Sequence, residues 1–109
     1  MTVIHKSANN TVAPIEIHGA ITTHTGTKSI EYLYITNTDN ESIRFLLSIG
    51  GKNILNSFVL AAGETLDLLE GFPMTVQDTD QILFQHAAAT YTAEIHTAIK
   101  LPEIKNTII

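Results

Sequence analysis

The stretch SIEYLYITNT, residues 29–38, decides the fold. It is rich in β-branched and aromatic residues and poor in helix formers, which is the composition of a strand on a pleated, half-buried surface. The same grammar continues on both sides. Thr38-Asp39-Asn40-Glu41 reads as a turn, and IRFLLSIG (43–50) alternates, with Ile43, Phe45, Leu47 and Ile49 facing a core and Arg44 and Ser48 facing out. Gly50-Gly51 between two apolar runs is a hairpin signal, and NILNSFVL returns as the next strand. Ala61-Ala62-Gly63-Glu64 turns into TLDLLEG, and Gly71, Phe72 and Pro73 break the chain. MTVQ is a short strand and Asp78-Thr79-Asp80 a turn. QILFQHA and TYTAEIHTAIK are the last strands, ended by Pro102. Upstream, alternation begins at Ile15, and THTGTK (23–28) reads as a turn around Gly26.

A helical alternative exists. Leu55, Phe58, Val59, Ala62, Leu66 and Leu69 fall at helical spacing, and Ala87-Ala88-Ala89 invites a helix. Gly63 in mid-segment costs a helix about 1 kcal/mol, and Thr90, Tyr91, Thr92 and Thr97 favour strand. The expectation is therefore all-β: an antiparallel β-sandwich, with a jelly roll as one form of it, built from about eight short strands. Residues 14–101 form the sandwich, residues 1–13 an N-terminal arm or edge strand, and residues 102–109 a C-terminal tail.

The 109 residues fit one domain, large enough to bury a core without metal or disulfide staples. Charged residues make up only 16%, which is low for a small soluble monomer and points to a homo-oligomer. The net charge is −5 and the six Lys and Arg are scattered, so no basic patch marks nucleic-acid binding. With no cysteine, thiol catalysis, disulfides and Cys-based zinc sites are excluded. The start MTVIHKSANNTVAP has no signal-like apolar core, and no run is long enough to span a membrane as a helix. Asn9-Asn10-Thr11 and Asn40-Glu41-Ser42 match the glycosylation triplet by chance on this reading.

Two near copies, IEIHGA (15–20) and AEIHTA (93–98), repeat Glu-Ile-His. In a strand Glu and His share a face. If the two strands paired, Glu16, His18, Glu94 and His96 would meet, and two His with a carboxylate can hold zinc. His24 and His86 could join them, with His5 in the arm. Nothing fixes the register, so the preferred reading is a wet outer face with Glu–His pairing, no metal and no cofactor. Asp78 and Asp80, with Asp67 and Glu70 upstream, raise calcium, but QDTDQ lacks the glycine and later bidentate Glu of the helix-loop-helix motif and reads as a turn. No serine has a nucleophile-elbow context, and Gly50-Gly51-Lys52 is no phosphate loop. Tyr32 and Tyr34 share a face and could stack on a sugar ring.

The apolar surplus is more telling. Ile30, Tyr32 and Tyr34 occupy one side of 29–37 and Leu33 and Ile35 the other, while Leu46 shares a side with Arg44. A sandwich strand needs one wet face, so a second apolar face implies a partner. The tip Thr107-Ile108-Ile109 and the loose start are candidate arms.

The turn order Asn37-Thr38, Gly50-Gly51, Ala62-Gly63-Glu64-Thr65 and Asp78-Thr79-Asp80 resembles the layout of small β-sandwich virion proteins of tailed bacteriophages, over about residues 28–99. The resemblance implies a non-enzymatic structural subunit of head, neck, tail or baseplate. It would be a ring or trimer made in the host cytoplasm and carried in the virion, docked on other virion proteins. Tyr32, Tyr34, Leu46, Ile108 and Ile109 are the candidate contacts, with no nucleic acid or membrane as partner. The alternative is a glycan- or host-surface-binding module using Tyr32, Tyr34 and Asp78.

Overall fold

A computed structural model describes residues 1–21 and 26–101. Among them are nine strands: β1 (Thr2–Asn9), β2 (Ile15–His18), β3 (Thr27–Asn37), β4 (Ile43–Ile49), β5 (Lys52–Leu60), β6 (Thr65–Asp67), β7 (Met74–Gln77), β8 (Ile82–His86) and β9 (Thr92–Lys100). All pairings are antiparallel. The first sheet runs β1-β9-β3-β6, with β7 also on β3; the second runs β2-β8-β4-β5. Apart from the β4–β5 hairpin the chain alternates between sheets, in the strand order of a jelly roll once β6 and β7 are taken as two halves of one edge strand. The segments with helical spacing are β5, turns and β6. The alanine triplet is a turn before β9, in which Tyr91 N donates to Ala88 O (3.3 Å).

The core lies between the sheets. Ile17, Ile30, Leu33, Ile35, Ile43, Phe45, Leu47, Ile82, Phe84, Ile95 and Ile99 are all buried there. Phe45 stacks on Phe84 with ring centroids 5.0 Å apart, inside the range where aromatic pairs add to simple area burial. The Gly50-Gly51 hairpin forms as expected. Both residues have positive φ (60° and 79°), and this double left-handed turn suits glycine and matches strand twist.

Of the two readings of residues 1–13, the edge strand is the one that forms: Thr2–Asn9 is β1, paired residue for residue with β9. One expectation changes. The apolar surplus on β3 shrinks. A register shift between Ile30 and Tyr32 marks a β-bulge, and the extra residue returns Ile30 to the core side beside Leu33 and Ile35. Only Tyr32 and Tyr34 remain large on the outer face. Thr97 Oγ1 donates to Tyr32 O (2.5 Å), satisfying a carbonyl beside the bulge.

At one end of the sandwich Asn37 is buried and fully used. Its Nδ2 donates to Glu41 O (2.8 Å) and Leu60 O (3.0 Å), its Oδ1 accepts from Asp39 N (2.8 Å), and its backbone pairs with Gly63 and Glu64. One side chain thus fixes the end of β3, the turn after it and the end of β5. Asn37→Ala leaves buried carbonyls and an amide without partners. We expect a loss of about 2–4 kcal/mol, read from denaturant midpoints with an unchanged m-value.

Candidate functional site

The two Glu-Ile-His triplets fall on different sheets, the first in β2 and the second in β9, so their four polar side chains form no common site. Among the described residues no group of three or more His, Asp or Glu is placed to hold a metal ion. The first triplet does not even keep its pair on one face. A register shift between Glu16 and His18 sets Glu16 opposite half-buried Leu83 and His18 opposite buried Ile82. Glu16 accepts from Gln81 Nε2 (3.1 Å), while His18 turns inward to Lys28.

Lys28 is the residue that sequence reading missed. It is only 1% exposed, at the inner side of β3. Its ammonium donates to His18 Nδ1 (2.9 Å), Gly19 O (3.1 Å) and Asp80 O (2.5 Å), so three donors meet three acceptors. The contact joins the first sheet to the second and to the turn before β8. Burial pushes the Lys28 ammonium below the ordinary lysine range, opposed by the carboxylates of Asp80, Asp78 and Glu16. Burial and then the facing ammonium push His18 down as well, keeping Nδ1 an acceptor. No periodicity marks Lys28, which composition places at the end of the THTGTK turn; the structure puts it in β3.

The second triplet keeps its pair on one face, the outer face of the first sheet. Glu94 Oε2 accepts from Ser7 Oγ and from His5 Nε2, both at 2.7 Å, and Ser7 and His5 hold its carboxyl below the usual range. His96 stacks on His5 with centroids 4.4 Å apart, and Tyr32 stacks on Tyr34 at 5.3 Å. The register sets His5, His96, Tyr34 and Asp67 side by side across four strands, with Ser7, Glu94, Thr36 and Thr65 in the adjacent row. Tyr34 is 36% exposed. The expected Glu–His pairing is thus present, but it runs to His5 on a neighbouring strand. This row was hidden because residues 1–13 carry no clear alternation.

The remaining candidates separate. Leu46 is half-buried on the outer face of the second sheet beside Arg44, on the opposite side of the molecule from Tyr32 and Tyr34. Ile108, Ile109 and His24 lie outside the described residues. Asp78 is buried at 1% exposure in the turn after β7 and cannot serve beside the tyrosines. Asp80 accepts from Gln77 N (3.0 Å) and Asp67 from Glu70 N (3.0 Å), the side-chain-to-backbone bonds of turns. His86 is not a solvated strand end. It is buried, donates through Nε2 to Ala8 O (2.6 Å), and meets Phe84 and Tyr91 edge to face; Nδ1 has no partner. A cleft of about 210 Å³ lined by Thr27, Ser29, Thr75 and Lys100 lies toward the other end of the first sheet. Compared with protein-family models and with curated proteins, the chain matches none of them.

Two measurements check this chemistry. Burial holds His86 and His18 below the ordinary histidine value. Between about pH 6.5 and those lowered values the unfolded chain binds protons that the native chain refuses, so stability falls as pH falls. Glu94 adds to the loss below about pH 4.5. Melting temperature is expected to drop steadily from pH 7 to pH 5, with a flatter slope in a His18→Gln/His86→Gln double variant. Lys28→Met leaves two buried carbonyls and an imidazole without their donor. It is expected to cost about 3 kcal/mol at pH 7 by denaturant titration.

Proposed function

We propose that the chain is a non-enzymatic structural subunit that works by associating, first with copies of itself. The observation that carries this reading is the contrast among the sheet edges. β2 is short and interrupted by a register shift. β5 has two register shifts and a left-handed Ser57 (φ 52°). The β6–β7 edge is split by residues 68–73, which include left-handed Glu70 and Gly71 and then Pro73. These are the devices that stop an edge from recruiting another strand. β1 has none of them: eight residues in unbroken register, with one lysine and no acidic residue.

The particular form of this reading is a bacteriophage virion subunit, docked on other virion proteins. It rests on the turn layout of residues 28–99 and, by fold-level analogy, on the use of jelly rolls in viral capsids. The low charged fraction is consistent with surface covered by neighbours. At micromolar concentration and neutral pH, native mass spectrometry is expected to show a defined oligomer that EDTA leaves unchanged. A monomer at every concentration would sink the association reading.

A glycan-binding module is the second reading, since jelly rolls also serve lectins. What favours it is the Tyr32–Tyr34 stack, flanked by Asp67, Glu94 and the hydroxyls of Thr36 and Thr65: flat rings beside hydrogen-bonding groups on an open face. A glycan-array signal abolished by Tyr34→Ala would establish it; an empty array would remove it.

A further inference from the structure

We propose that β1 is the seam of a two-fold dimer, pairing antiparallel with β1 of a second copy so that the two His5 residues face each other; this rests on the association reading above. The phase of the hydrogen-bond ladder shows which backbone groups are available. Beyond the pair Asn9–Thr92, Asn10 N donates to Tyr91 O (3.0 Å). In an antiparallel ladder, hydrogen-bonded pairs alternate with non-bonded ones. Even-numbered residues of β1 therefore spend their backbone groups on β9. The far side of the sheet keeps the same phase. Asn37 N donates to Glu64 O (2.9 Å) and Leu68 N to Leu33 O (3.1 Å), so beyond the bulge, over residues 32–37, the odd positions of β3 face outward to β6 and its even positions face β9. The N–H and C=O groups of Val3, His5, Ser7 and Asn9 are left pointing away from the sheet, and all four side chains are exposed.

Such an edge fits an extended strand, and β1 of a second copy presents the complementary row of backbone groups in the same phase. A two-fold axis perpendicular to the sheet pairs odd residues with odd and keeps both outer faces on the same side. Two centres give the longest overlap. A centre at Lys6 pairs residues 3–9 but sets two ammonium groups opposite each other in a close, non-hydrogen-bonded pair, which is destabilising. A centre at His5 pairs residues 2–8 without that repulsion. It sets Val3 opposite Ser7, and Ile4 opposite Lys6, whose aliphatic stem can lie along it. Val3 is 70% exposed in the single chain and would be covered. The two outer faces would merge, with the stacked His5 and His96 of each copy forming one row through the axis, each His5 beside its own Glu94.

The test uses the full chain at neutral pH and reads the dimer dissociation constant by sedimentation velocity. Val3→Pro removes an N–H that faces the open edge and does not serve β9, and proline is tolerated on an edge of this kind. It is expected to raise Kd at least tenfold while the circular dichroism spectrum and melting temperature stay as in the parent. His5→Lys and His5→Glu are each expected to raise Kd about fivefold by setting like charges across the axis. An equal mixture of the two is expected to recover the parent value. A parent chain that is monomeric overturns the seam and the association reading together. A dimer indifferent to Val3→Pro overturns the seam but leaves association through another surface. A dimer that Val3→Pro weakens, but that neither His5 variant affects, overturns the centre at His5.

Discussion

The bulge at residue 31 of β3 determines which side of the first sheet is wet. Without it, strict alternation would carry Ile30 to the same face as Tyr32 and Tyr34 and leave an apolar group in water. With it, Ile30, Leu33 and Ile35 all enter the core, and the outer face keeps only two tyrosines among polar groups. β3 is the central strand of its sheet and bonds β9 on one side and β6 and β7 on the other. A change of phase there is therefore felt across every strand of that layer. Thr97, reaching Tyr32 O from the neighbouring strand, holds the irregularity in place.

The two ends of β3 are tied by buried polar side chains of different character. Asn37 is neutral and binds five backbone partners on three segments, counting both of its Nδ2 contacts, its Oδ1 contact and the backbone bonds with Gly63 and Glu64. Lys28 is an ammonium whose three acceptors belong to the opposite sheet and its loops. Aliphatic contacts between the layers are non-directional and tolerate sliding. Directional groups that are costly to leave unpaired do not, so these ties fix how one sheet sits on the other. The Lys28 tie, through His18, and the separately buried His86 are the groups that acid opposes. His18 serves Lys28 only as a neutral acceptor, and His86 is buried with one nitrogen already given to Ala8 O.

The proposed association rests on edges and outer faces. Three edge positions are interrupted by bulges, left-handed residues or proline, and β1 is left regular. The outer face next to β1 carries the His5, His96, Tyr34 row and the Glu94 carboxylate, so a partner that adds to β1 would also meet that face. This continuity connects the association reading with the apolar and aromatic surplus on the chain, although the surplus is smaller than simple alternation implied.

How much of this was legible in the sequence follows from the range of the forces involved. Strand identity was, because β-branched and aromatic runs such as 29–38 and glycine turns such as 50–51 are local preferences that the backbone obeys wherever it sits. MTVQ, IRFLLSI and the Gly50-Gly51 hairpin fall where composition placed them. The all-β class and the two-layer architecture followed from the same alternation. Tertiary structure alone decided which strands share a sheet, and with it the separation of the two Glu-Ile-His triplets. Register between segments some 80 residues apart depends on complementary surfaces, and no local pattern encodes it. Bulges were equally hidden, since one inserted residue leaves composition unchanged and reverses every later side chain. Lys28 falls in the THTGTK turn on composition, and its burial was not legible there, because burial of an ammonium depends on three acceptors brought from distant segments and only the closed sandwich supplies them.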